Sequence, residues 1–341
     1  MRMIIGLLAI MLLLGCLGGG APPEQNNTTI SNETNKTPPI KIIVGNQTNQ
    51  TTVKNVTEPE PEPEPEIPKE VQYEYDPSAL MGIFFLDMSD AADHGEAILV
   101  KKGDLDILFD AGPVEKATDI VDKLKSRGID DIDVLVSTSA DPRKYGGIRT
   151  VAEKYHIEEF WWSDDSFGDQ EYSAIVNEIS PKVKTIRKVE KGFTMELNGI
   201  NFTALNPPSK RFEDKNNDAI VMRLVDRNFS VLLMSNVQKG AHQKLLNEQP
   251  GLIKNRVIQA PYYGVGEGTR DIGLFLISAK PEYMIITGSQ DDSAANGGSR
   301  EPFIRLLDQY DIRWNATYVN GSIRVTTDGN DYTVLNLGKG Q

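Results

Sequence analysis

Between residues 73 and 341, apolar runs of strand length alternate with segments whose apolar residues recur every three to four positions. This alternation restricts the fold more than any other feature, because each kind of element has one apolar face to bury and buries it against a neighbouring layer. Three short strands are expected at 83–86, 97–100 and 106–109, the last two joined by Lys101-Lys102-Gly103-Asp104. Val114, Ala117, Ile120, Val121 and Leu124 then fall on one face of a helix that Gly128 closes. A buried-type strand at 134–137, a helix at 148–155, a strand at 159–162, a helix at 171–179 and a strand at 183–186 complete a first block. The second block is expected to have strands at 200–205, 219–225, 230–234, 256–260, 283–287, 322–327 and 332–335, with helices at 240–246, 271–279 and 301–310. Two strand blocks, each feeding β-α-β units, imply an α/β fold of two mixed sheets packed together with helices outside.

The chain before residue 73 has a different character. Arg2 and the twelve-residue apolar run Met3 to Leu14 end in Leu13-Leu14-Gly15-Cys16. Twelve residues are too few for a spanning helix, which needs roughly 20, but they suit a signal-peptide core. The small residue before the chain's one cysteine resembles a lipobox, so residues 1–16 are read as a lipoprotein signal with Cys16 as the lipidated residue. A single cysteine excludes an internal disulfide. Residues 17–72 are rich in Asn, Thr, Pro and Glu, including an unbroken Glu-Pro alternation from Glu58 to Glu66. So little apolar surface cannot offset ordering entropy, and a disordered tether is expected. Glycosylation sequons occur there at Asn26, Asn27, Asn32, Asn35, Asn46, Asn49 and Asn55, and later at Asn201, Asn228, Asn315 and Asn320. Lipobox and sequons together favour a lipid-anchored surface protein on the outer face of the cytoplasmic membrane, archaeal in style.

Residues 73–341 are long enough for one well-cored domain. They carry 31 Lys and Arg against 41 Asp and Glu, a net charge of −10. That balance works against nucleic acid as a partner, since phosphate binding rests on clustered positive charge.

Several short motifs, read in order, resemble the metallo-β-lactamase domain of ComEC-type DNA-uptake proteins. They are Phe85-Leu86-Asp87, Gly95-Glu96-Ala97, Leu108-Phe109-Asp110-Ala111-Gly112-Pro113, Asn216-Asn217-Asp218-Ala219, and Gly321-Ser322-Ile323-Arg324-Val325-Thr326-Thr327-Asp328-Gly329. The resemblance covers nearly all of 73–341 and implies a four-layer αββα sandwich. It also implies a dinuclear metal site, and there the sequence departs from the family. The family's Thr-His-x-His-x-Asp-His-x-Gly-Gly is aligned without a gap to Thr138-Ser139-Ala140-Asp141-Pro142-Arg143-Lys144-Tyr145-Gly146-Gly147. Ser139, Asp141, Arg143 and Lys144 therefore stand where the family has His, His, Asp and His. Ser235-Asn236 replaces the Gly-Asp whose carboxylate bridges the metals, and Tyr262-Tyr263-Gly264 replaces a His-His-Gly.

Such a site needs neutral imidazoles and carboxylates to hold a cation and acidify its water. Arg has no acceptor and cannot be deprotonated, Lys144 adds a second cation, and Asn236 keeps an oxygen without its charge. Asp141 is the one plausible ligand retained, and Arg143 and Lys144 are expected to pair with Asp141 or Asp110. Of the three histidines, His94 could border the pocket, His156 is placed at a helix end, and His242 on a solvent-facing helix. Asp87, Asp90, Asp93 and Glu96 are read as a solvated acidic loop in preference to a Ca²⁺ site. Of Trp161 and Trp162, one ring is expected in the core and the other is a candidate exposed binding element. The loop at 291–298 is read as a rim.

No cofactor is expected from these residues, Zn²⁺ or Mn²⁺ being the alternative. The leading reading is a membrane-anchored, non-catalytic module that binds a surface protein or a small molecule. The alternatives are a phosphodiesterase- or nuclease-like metallohydrolase with a rebuilt site, and a structural envelope component.

Overall fold

The structure, a computed structural model, describes residues 74–265, 269–290 and 298–340. Cys16, the tether, its seven sequons and most of the 291–298 loop lie outside the described residues. Among the described residues no helix is long and apolar enough to cross a membrane.

Two mixed sheets form the centre. The first contains β1 (Met81–Phe85), β2 (Ile98–Lys102), β3 (Leu105–Phe109), β4 (Ile132–Val136), β5 (Ile157–Trp162), β6 (Thr185–Lys188), β14 (Ser322–Thr327) and β15 (Tyr332–Gly338), in the order β15-β14-β1-β2-β3-β4-β5-β6. The second contains β7 (Thr194–Leu197), β8 (Ile200–Asn206), β9 (Val221–Asp226), β10 (Phe229–Leu233), β11 (Val257–Gln259), β12 (Tyr283–Ile286) and β13 (Arg313–Ala316), in the order β13-β12-β11-β10-β9-β8-β7. The run β3-β4-β5-β6 is parallel, as is β10-β11-β12-β13, and the other neighbours are antiparallel. Parallel pairs require crossovers. In the first sheet these contain α1 (Ala117–Ser126), the short α2 (Pro142–Tyr145), α3 (Ile148–Lys154) and α4 (Gln170–Ile179). In the second they contain α5 (Lys239–Glu248), α6 (Thr269–Ala279) and α7 (Glu301–Gln309).

Three apolar layers follow from strand alternation. Ile83, Val100, Ile107, Val134 and Trp161 meet Phe202, Leu224, Val231 and Val257 between the sheets. Leu99, Leu108, Leu135 and Phe160 point the other way, onto Ile120, Leu124, Ile148 and Ile175 of the first helix layer. Leu232, Ile258 and Met284 pack on Leu245, Phe275 and Leu307 of the second. The result is the α/β/β/α sandwich expected. β7 and β13 are additional to the expected strands: each is only four residues long and lies at an edge of the second sheet, with Met195 and Leu197 of β7 half-buried and Arg313 of β13 exposed.

Three placements differ from expectation. His242 faces inward, 5% exposed, because Leu245 and Ala241 share its helix face. α3 ends at Lys154, so His156 lies beyond it and meets Glu158 instead of a helix end. Neither tryptophan is a free binding element: Trp161 is fully buried and Trp162 packs on Phe160 and Tyr172. The sequon residues Asn201 and Asn228 are exposed, whereas Asn315 and Asn320 are half-buried.

Candidate functional site

Strand ends converge on one polar centre, at the carboxyl edges where open α/β sheets carry their ligands. β3 delivers Asp110, β4 runs into Thr138 to Lys144, β10 into Ser235 and Asn236, β11 ends at Gln259 before Tyr262 and Tyr263, and β12 leads to Thr287. Sharp exits are needed to aim these side chains. Asp110, Ser235, Tyr262 and Tyr263 all adopt left-handed backbone, with φ of 58°, 52°, 45° and 58°, conformations that cost of order 1 kcal/mol or more each and gather at functional sites. Gly147 serves close approach instead, since a Cβ there would lie 2.1 Å from the Ala111 carbonyl oxygen. The Gly-Gly pair thus lets the Lys144 turn press against the Asp110 turn.

Lys144 is the hub. Its side chain is wholly buried and its Nζ donates to Glu96 Oε1 and, at 3.3 Å, to Asp110 Oδ2. Glu96 Oε2 accepts from Gln259 Nε2 at 2.7 Å and Thr287 Oγ1 at 2.5 Å. Asp110 accepts from the Thr138 N–H at 2.7 Å and from its hydroxyl at 2.6 Å. Burial raises the Asp110 carboxyl to about 6, against the opposing pull of Lys144. Burial works to lower the Lys144 pKa, but Glu96 and Asp110 outweigh it and hold the ammonium charged.

A second pair lies beside the first. Arg143 grips Asp141 through Nε, at 2.9 and 3.1 Å, and Nη2, at 2.6 Å. Asn236 Nδ2 donates to the same carboxylate at 2.6 Å. Burial would raise the Asp141 pKa, but Arg143 keeps it below the usual carboxylate value. The guanidinium also lies over the Tyr262 and Tyr263 rings, 5.4 and 5.2 Å from their centroids. Around Asp141, the Ser139 Oγ, Asn236 Oδ1 and Tyr263 hydroxyl are buried without a hydrogen-bond partner.

The structure brings all eight sequence-derived positions into this centre. It adds residues to which the sequence reading gives no role in the site. Glu96 belongs at the hub and not to a solvated loop, while Asp87, Asp90 and Asp93 engage the Ser89 N–H, Lys116 and Arg143 respectively. His94 stacks on Tyr263 at 4.8 Å, and its Nδ1 faces Ser289 and Arg300. Buried Arg300 donates through Nε to the Tyr263 carbonyl at 2.8 Å. A polar Gln at the end of the buried β11 is a readable signal for Gln259, and the Gly-Glu-Ala motif one for Glu96. Arg300 carries no such signal, sitting after a polar loop where an exposed residue is the ordinary outcome.

The donor set does not fit a pair of Zn²⁺ or Mn²⁺ ions. Glu96, Asp110 and Asp141 each already face a side-chain cation, and among the described residues no three His, Cys, Asp or Glu side chains are grouped to hold a metal. Ligation would require displacing an ammonium and a guanidinium from their hydrogen-bonded carboxylates.

No family model matches the chain, and no curated protein matches it in sequence. Among solved structures it is similar to the metallo-β-lactamase fold protein YhfI from Bacillus subtilis, at 12% identity and a TM-score of 0.48, over 69% of this chain and 96% of that one. It is similar to Igni18, a metallo hydrolase from the archaeon Ignicoccus hospitalis, at 12% identity and a TM-score of 0.46, over 74% and 98%. A metallo-β-lactamase from Cronobacter sakazakii gives 12% and 0.38, over 64% and 86%. These values carry nothing about the site. The two mixed sheets between helix layers are read from this chain's own strand order and packing.

Proposed function

We propose that this domain is a non-catalytic binding module, related to the ComEC-type metallo-β-lactamase domains, in which side-chain cations have replaced the metals. The observation that carries this reading is the fully buried Lys144 ammonium between Glu96 and Asp110. A buried carboxylate pair needs a countercharge, and here the chain supplies one itself. Arg143 does the same for Asp141.

The lipobox at Cys16 and the sequons support display outside the cell, with the acidic tether holding the domain off the membrane. The partner would then be a surface protein or a small molecule, and net acidity favours neither DNA nor RNA. The test is hydrolysis of bis-p-nitrophenyl phosphate by the full chain with added Zn²⁺ or Mn²⁺. Turnover equal to buffer is expected. Metal-dependent turnover that disappears in Asp141→Ala would overturn the reading in favour of a rebuilt hydrolase.

A further inference from the structure

Two further cations meet outside the charge-paired centre, on the face of the first sheet that carries the helix layer. Phe84 of β1 stands there opposite Arg324 of β14. Its ring lies over Gly82, where a Cβ would come within 2.9 Å of it. Two guanidinium groups lie over that one ring, Arg127 at 5.3 Å and Arg324 at 6.0 Å from its centroid. Arg127 follows the last turn of α1, and its Nη1 donates to the Lys123 carbonyl at 2.6 Å and the Ser126 hydroxyl at 3.2 Å. That accounts for one nitrogen. The Nε atoms of Arg127 and Arg324 are both buried without a hydrogen-bond partner, and so is Thr326 Oγ1, two residues along the same face of β14. Among the described residues neither guanidinium has a carboxylate partner, and burial followed by the like charge of Arg324 lowers the Arg127 pKa.

We propose that Arg127 and Arg324 form a binding site for an oxyanion, the phosphate or carboxylate group of a small-molecule ligand, held by both guanidinium groups beside the Phe84 ring. Packing on Phe84 accounts for one cation, since one is enough to use the ring. A second like charge at the same ring is unfavourable until an anion joins them and turns repulsion into two charge-assisted pairs. Residues 73–341 carry 41 Asp and Glu, yet among the described residues none is paired with either arginine. Arginine suits the task, because its planar fork meets phosphate or carboxylate bidentately and stays charged at every relevant pH. Leu335 of β15, opposite Arg324 and 44% exposed, offers apolar surface to the body of the ligand. A neutral ligand would leave the repulsion in place, and a cation would add to it. The site deepens the binding-module reading and rests on it for its role, but not for its chemistry.

The probes are inorganic phosphate and acetate, added to the ¹⁵N-labelled full chain, with chloride at matched ionic strength as control. The arginine Nε resonances, assigned by their loss in Arg127→Gln and Arg324→Gln, read the site directly. The expected result is a saturable shift of both with phosphate, while that of Arg149, already paired with Glu171 and Glu178, stays in place. Either Gln variant should weaken phosphate binding about tenfold or more, as loss of one charge-assisted bond predicts. Arg324→Lys, which keeps the charge, should bind phosphate more tightly than Arg324→Gln, an order that a merely loosened fold would not produce. Phosphate tighter than acetate assigns the site to a phosphorylated ligand, and acetate equal or tighter assigns it to a carboxylic acid. No saturable shift with either probe, a shift that chloride reproduces, or binding unchanged in both Gln variants would overturn the proposal. Absent anion binding without metal-dependent hydrolysis would sink this site alone, whereas hydrolysis with anion binding retained would sink the module alone.

Discussion

Replacing Lys144 by Met removes the countercharge and keeps most of the stem that fills the hub. Glu96 retains Gln259 and Thr287, and Asp110 retains both Thr138 donors. What remains is two buried carboxylates with no cation between them. Breaking a buried pair in this way costs about 3–5 kcal/mol. The two groups can recover part of that by taking up a proton, since Asp110 is already raised to about 6 by burial with Lys144 present. A carboxyl whose folded pKa lies above its unfolded value stabilises fully below the unfolded pKa, and that stability is lost as pH rises through the folded pKa. The Lys144→Met penalty should therefore be smallest near pH 5 and grow toward pH 8, by at most about 1.4 kcal/mol per pH unit for one proton. Urea denaturation of wild type and variant at four pH values measures it. Adding Glu96→Gln should return much of the loss, because it removes one of the two stranded charges. A penalty below about 1 kcal/mol at pH 7, or one independent of pH, would refute the charge-replacement reasoning.

Other outcomes follow from the same physics. Burial, with the charges of Asp131 and Asp106 added, raises Asp133 to about 7, and burial raises Asp106 to about 6 despite Lys101. Both are carboxyls raised in the folded state, so wild-type stability should fall as pH rises from 5.5 to 8, and Asp133→Asn should flatten that slope in a pH series of melting curves. Gly147→Ala forces a Cβ into the Ala111 carbonyl and should cost about 1–3 kcal/mol or more, seen as a lowered melting temperature. Tyr263→Phe removes a buried hydroxyl that has no partner and should stabilise the fold by about 1 kcal/mol or more, since the desolvation cost of an unpaired group is relieved. A loss of about 2 kcal/mol would show that the hydroxyl is satisfied in solution.

Much of the architecture is legible because the buried strands are near-continuous apolar runs. Val134 to Val136 and Val231 to Leu233 could only be interior, and the helix stripes of α1 and α4 announce which layer covers them. The edge strand β7 is not legible, because its alternation runs for only four residues and its apolar pair, Met195 and Leu197, is only half-buried. At the site, the motif frame locates Lys144 and Arg143 but not their partners in full. Glu96 lies far from Lys144 in sequence, and its burial depends on β1 and β2 pairing across the Asp87 to Gly95 excursion. His242 escapes sequence reasoning because a histidine among Lys, Gln and Asn reads as surface until α6 closes over it.

The most direct measurement is the metal content of the purified full chain after loading with Zn²⁺ and Mn²⁺ and exhaustive dialysis. With Glu96, Asp110 and Asp141 held by Lys144 and Arg143, less than about a tenth of an equivalent is expected, since ligands already paired to side-chain cations have no charge left to offer. Near-stoichiometric metal that is lost in Asp141→Ala would contradict the replacement of metal by side-chain charge.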